Sequence, residues 1–150
     1  MKEIKENISI IENIISIIDK DVPVISNLAN LSYVLKYYFN NTDWAGLYLT
    51  KNNVLYLGPF QGDLACTMIP FNKGVCGISA YKKESILVPD VHEFEGHIAC
   101  SSSTNSEVVV PIIKNYKVFH IMMKFCICFF CYFICFFHFY LESNHIASFF

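Results

Sequence analysis

Between Leu57 and Pro111 the chain places five of its six glycines and four of its five prolines. Glycine and proline punctuate regular structure more strongly than any other residues, so the apolar runs between them are short and the turns frequent. The same stretch carries Cys66, Cys76, Cys100, His92 and His97, with the cysteines ten and then twenty-four residues apart. Each cysteine lies at the end of a short apolar run or in a small-residue loop, outside any helix pattern. Such positions present a thiol to a ligand rather than pack it as a small hydrophobe.

The flanking sequence shows clearer periods. Ile4, Ile8, Ile11, Ile14, Ile15 and Ile18 recur at three- and four-residue steps, predicting an amphipathic helix over 1–20 with Glu3, Glu6 and Glu12 on its wet side. Pro23 stops it. A second helix is predicted from Val24 to Phe39, with Leu28, Leu31, Leu35 and Tyr38 as its apolar stripe. Asp43–Thr50 reads as a strand in which Trp44, Gly46 and Tyr48 share one face and Ala45, Leu47 and Leu49 the other. Asn52–Asn53 marks a turn into a returning strand, VLYLGPF. Val75–Tyr81 is a small-residue segment suited to a closely packed short helix. Ser85–Pro89 and Glu107–Ile113 are further strands, and Asp90–Cys100 between them is a loop. Strands and helices do not alternate in βαβ fashion, so the fold class is α+β, an antiparallel sheet with flanking helices.

At 150 residues the chain is one domain by size, and a net charge of −2 with no Lys/Arg run gives no surface for nucleic acid. The N-terminus, MKEIKENISI, mixes charges of both signs with no apolar core, so it does not read as a secretory signal and a cytoplasmic location is expected. In a reducing compartment, cysteines are more often catalytic or metal-binding than structural disulfides.

Four blocks, LGPFQGDLAC, GVCGISA, VPDVHEFEGHIAC and SEVVVPI, resemble those of the free methionine-(R)-sulfoxide reductases, with all three cysteines in the family's order and spacing. The resemblance runs from about Pro23 to Ile113. It implies a GAF fold and reduction of the sulfoxide of the free amino acid, without a cofactor and with thioredoxin as the external reductant; it leaves a homodimer open. By its place in GHIAC, Cys100 is expected to be the nucleophile, with Cys66 and Cys76 at the family's other two redox positions. Which of those two resolves stays open. Glu107 matches the family's buried glutamate, expected to bind the substrate amine or help protonate the sulfoxide oxygen. A lone Glu at a strand start would otherwise be expected in solvent. Trp44 and Tyr48 are expected to wall the pocket for the methionine side chain. One departure follows the nucleophile, where the family usually has Asp and this chain has Ser101.

The chemistry suits these residue types. A thiolate is the soft nucleophile that sulfoxide sulfur requires. Its attack leaves a sulfenic acid, a neighbouring thiol condenses with it to a disulfide, and an external dithiol reduces that bond by exchange. His92, His97 and Cys100 are zinc-type ligands, but HxxxxH lacks the tight pair spacing of structural zinc motifs and no metal is expected. The alternative reading is a GAF domain that binds a small molecule as a sensor without catalysis; three cysteines in the enzyme's register argue against it.

After Tyr116 the character of the chain changes. KVFHIMMKFCICFFCYFICFFHFYLESNHIASFF shows no turn signal and no alternation of either period, and Val118–Leu141 is long enough to cross a bilayer. The resembled family continues instead with a glycine-containing strand bearing a pair of aspartates, whereas no Asp follows Asp90 here. Residues 1–116 therefore read as a truncated GAF-like domain, and 117–150 as an aberrant apolar tail: a gene-model artefact, a membrane anchor or a buried helix, the first being favoured. A membrane is a partner only if the tail is genuine. With the family strand replaced, Glu107–Ile113 is expected to be an exposed sheet edge and the activity of this isoform to be impaired.

Overall fold

The alternation in DWAGLYLT becomes β1, Thr42–Lys51. Asn52 and Asn53 then take φ values of 53° and 58°. Two successive left-handed residues are what a tight hairpin turn needs, and asparagine tolerates that region better than most. The chain returns as β2, Val54–Gln61, with Lys51 opposite Val54. β3 (Met68–Pro70), β4 (Ile86–Val88), β5 (Glu107–Lys114) and β6 (Lys117–Ile127) complete one sheet. Its six strands run in the order β3-β2-β1-β6-β5-β4, each antiparallel to its neighbours. The computed structural model describes residues 12–38, 42–100, 104–114 and 117–127.

α1, Val24–Tyr38, whose expected limit Phe39 falls outside the described residues, lies against β1 and β2. Leu28, Leu31 and Leu35 are buried there, each worth about 1.5–3 kcal/mol of apolar burial. Tyr38, the fourth member of the stripe, is half-buried, and its hydroxyl accepts a 2.7 Å hydrogen bond from Asn13 Nδ2. Residues 12–16 are helical and Ile14 is buried, but most of the expected isoleucine helix falls on 1–11, outside the described residues.

α2, Gly74–Lys82, packs against β3, β4, β5 and β6. Under it lies a cluster that includes Trp44, Tyr48, Val75, Ala80, Val91 and Val109, with none of the α1 leucines. The small residues of GVCGISA explain the close seating: a Cβ at Gly77 would collide with the carbonyl oxygen of Pro70 on β3. The helix stops at Lys83, which takes φ 60° and returns its N–H to the Ser79 carbonyl.

The largest departure from the sequence expectation is β6. Glu107–Ile113 is not an exposed edge, because β6 pairs with β5 from Val108↔Phe125 to Lys114↔Lys117 and with β1 from Thr42↔Ile127 to Tyr48↔Met122. The expected boundary after residue 116 thus falls inside the sheet, and 117–127 join its two halves. The reason is backbone satisfaction: β1 and β5 each present a row of N–H and C=O groups, and a strand between them pairs both rows. The expected membrane span, Val118–Leu141, begins within this strand, and 128–150 lie outside the described residues. Among the described residues no helix is long and apolar enough to cross a membrane.

Candidate functional site

The site grows from the α2 side of β1. Trp44 and Tyr48 share that face, as their two-residue alternation required, with ring centroids 6.2 Å apart. Between them Gly46 leaves the space that the rings need. A Cβ there would sit 2.6 Å from Trp44 Cη2 and run into the Phe60 side chain. Relieved of it, Phe60 from β2 stacks on Trp44 at 5.5 Å and 16°. The result is an aromatic wall of Trp44, Tyr48 and Phe60.

Cys66 lies in the loop joining β2 to β3, half-buried against this wall. The Tyr48 hydroxyl donates a 2.9 Å hydrogen bond to the Cys66 carbonyl oxygen. One residue on, the Thr67 carbonyl accepts from Leu57 N–H at 3.0 Å, so the loop is tied to the sheet on both sides of the thiol. Cys100 arrives from the segment after β4. There a single 3₁₀ turn, Val91–Glu93, is capped by the Asp90 side chain, which accepts from His92 N–H at 2.9 Å. The turn is held to the chain ahead of β5 by a 2.8 Å bond from Val91 N–H to the Asn105 carbonyl. Cys66 and Cys100, 34 residues apart in sequence, form a disulfide with their Cα atoms 5.2 Å apart.

Glu107 opens β5 and is only 2% exposed, so it departs from the solvent position usual for a glutamate at a strand start. Its Oε1 accepts a 3.4 Å hydrogen bond from Cys76 Sγ. Its Oε2 lies 3.7 Å from Nε2 of His97, whose side chain is 12% exposed. The pairing of a buried carboxylate with a donor on one side and an imidazole on the other is how such a group is tolerated away from water.

All six residues expected at the site from the sequence are thus drawn into one region, with one correction. Cys76 was expected as a presented thiol, but within the short helix expected over Val75–Tyr81, now α2, it sits in the first turn and is 2% exposed. The close packing that Gly77 permits puts it there, facing Glu107 instead of solvent. His92 and His97, the candidate zinc pair, have different surroundings: His92 is exposed on the 3₁₀ turn, while His97 turns to Glu107. Among the described residues no group of three or more His, Cys, Asp or Glu side chains could hold a metal. Sequence reasoning missed the contributions of His97 and Phe60. The available signals were the histidine three positions before Cys100 and the aromatic at the end of VLYLGPF, opposite Gly46. β6 takes the place after β5 and carries no Asp.

No family model matches the chain. A curated relative from Saccharomyces cerevisiae, named free methionine-R-sulfoxide reductase, is 48% identical over 104 residues, which is 65% of this chain and 58% of the relative. A solved structure described as a GAF domain superposes with a TM-score of 0.81 at 36% identity, covering 95% of this chain and 88% of that one. The X-ray structure of free methionine-R-sulfoxide reductase from Neisseria meningitidis, in complex with its substrate, superposes with a TM-score of 0.75 at 32% identity, over 95% of this chain and 82% of that one. The chain spans about three fifths of the length of the curated relatives it matches. With the antiparallel GAF sheet and this solved reductase matched over most of its length, the chain belongs to the free methionine-R-sulfoxide reductase family.

Proposed function

We propose that this protein reduces free methionine-(R)-sulfoxide to methionine with its own thiols. The observation that carries the reading is the Cys66–Cys100 disulfide, set against the Trp44/Tyr48 wall in a site that also holds the buried Glu107. Cys100 as thiolate attacks the sulfoxide sulfur while a proton goes to the sulfoxide oxygen. Methionine leaves, and Cys100 retains the oxygen as a sulfenic acid. The Cys66 thiol then attacks the sulfenic sulfur, the S–S bond forms, and the hydroxyl departs with the Cys66 proton as water. Both electrons come from these two thiols, so no cofactor is required. The disulfide pairing supports Cys66 over Cys76 as the resolving thiol.

The aromatic wall takes the apolar side chain of the substrate, and Glu107 takes its amine or supplies the proton to the sulfoxide oxygen. A dithiol of the thioredoxin class returns the disulfide to thiols by exchange, which suits a cytoplasmic setting. Because β6 carries no Asp, the amine is held with fewer acids than in the resembled family, and this isoform works below the family's rate. The test is Cys100→Ser in a thioredoxin-coupled assay that follows NADPH oxidation with free L-methionine-(R)-sulfoxide. Turnover should be abolished; undiminished turnover would remove Cys100 from the role.

A further inference from the structure

We propose that Cys76 is a positioning residue: a thiol that donates to Glu107 and takes no part in sulfur exchange. The proposal rests on the reductase reading above and assigns the third cysteine within it. The disulfide joins the other two cysteines, and Cys76 lies buried outside it. Its Sγ sits 3.4 Å from Glu107 Oε1, within the distance at which sulfur donates to oxygen. Cys76 and Glu107 are each 2% exposed, so water has little access to the carboxylate at that contact.

A buried carboxylate needs donors, and a hydrogen bond to a charged acceptor is worth more than one between neutral groups. A thiol that donates keeps its proton in that bond, and the protonated thiol is not the nucleophilic form. His97 Nε2, at 3.7 Å from Oε2, is too distant for a direct hydrogen bond of normal geometry. It lies beside the carboxyl group, while Cys76 fixes the direction of Oε1. The placement follows from the fold. α2 is seated low over the sheet through Gly77, so its first turn comes down onto the start of β5, where Glu107 opens the strand. Without Cys76 the carboxyl group loses the donor that directs Oε1, and the cost falls on the step that uses it.

The experiment compares Cys76→Ser, Cys76→Ala and Glu107→Gln, with the double variant C76A/E107Q, in the thioredoxin-coupled assay and in single turnovers with excess protein. Serine keeps a donor but cannot join a disulfide, so C76S should stay within about threefold of the unmutated kcat/KM. C76A should lose about tenfold or more, a part of the 10²–10⁴-fold that a positioned acid supplies. In the E107Q background the alanine change should cost less than about twofold, because its effect passes through the carboxylate. Every variant should still form the Cys66–Cys100 disulfide without accumulating sulfenic acid. Serine as damaging as alanine, an undiminished alanine effect on E107Q, or persistent sulfenic acid in C76S would overturn the assignment. Absence of methionine formation by the unmutated chain would overturn the reductase reading, and this proposal with it.

Discussion

Tyr48→Phe separates the two jobs of that side chain. The substitution keeps the ring and its approach to Trp44 at 6.2 Å, and deletes the 2.9 Å hydrogen bond to the Cys66 carbonyl. A hydrogen bond of this kind contributes about 0.5–1.5 kcal/mol net, rising toward about 3 kcal/mol when the abandoned acceptor is fully buried. Cys66 is half-buried, so water replaces part of the loss and about 1–1.4 kcal/mol is the reasonable range. If that energy holds the loop where the thiol can reach Cys100, its removal slows disulfide formation by about five- to tenfold, since 1.36 kcal/mol is a factor of ten in rate. The assay mixes reduced protein with free L-methionine-(R)-sulfoxide and quenches at intervals with a sulfenic-acid trap such as dimedone. Mass spectrometry then follows the Cys100 adduct against the Cys66–Cys100 disulfide. A trapped fraction that outlives the unmutated protein's by that factor supports the reasoning. Disulfide formation at the unmutated rate refutes it and leaves Tyr48 as wall alone.

Trp44→Ala opens the aromatic wall and should raise the KM for free methionine-(R)-sulfoxide about tenfold or more, the equivalent of about 1.4 kcal/mol of lost contact; steady-state kinetics read it directly. Leu35→Ala, on the far side of the sheet from the thiols, should destabilise the fold by about 2–5 kcal/mol in urea denaturation while the Cys66–Cys100 disulfide still forms. Replacing residues after Lys114 with a family-type ending that bears the aspartate pair should raise the rate by about 10²-fold. An unchanged rate would show that the chain's own ending performs that task.

The fold was legible where a period is enforced by burial on one side only. The stripe Leu28, Leu31, Leu35 located α1, because one face of that helix is dry and the other wet. Asn52–Asn53 located the first hairpin because few residues accept the left-handed pair it needs. β6 was illegible for the opposite reason. Its residues show no apolar–polar alternation, and a short apolar run does not by periodicity alone declare itself strand, helix or membrane span.

The site divided along the same line. The GHIAC and SEVVVP blocks named Cys100 and Glu107 through resemblance, and alternation put Trp44 and Tyr48 on one face. The cysteine pairing had no local signal, since it depends on two loops meeting across 34 residues of sequence. The small residues of Val75–Tyr81 announced a short helix, but not that its first turn would be pressed against the sheet with Cys76 buried there. The approach of His97 to Glu107 is likewise a tertiary contact, between a loop and a strand end, that no spacing rule encodes.

The most direct test of the central claim is the fate of each sulfur in a single turnover. Fully reduced protein is mixed with one equivalent of free L-methionine-(R)-sulfoxide, quenched in acid, alkylated and digested, and both the released methionine and the cysteine peptides are measured. The account predicts about one methionine per disulfide formed, a linked peptide pair containing Cys66 and Cys100, and Cys76 recovered in its alkylated form. No methionine released, with Cys66 and Cys100 both still alkylated, would contradict it.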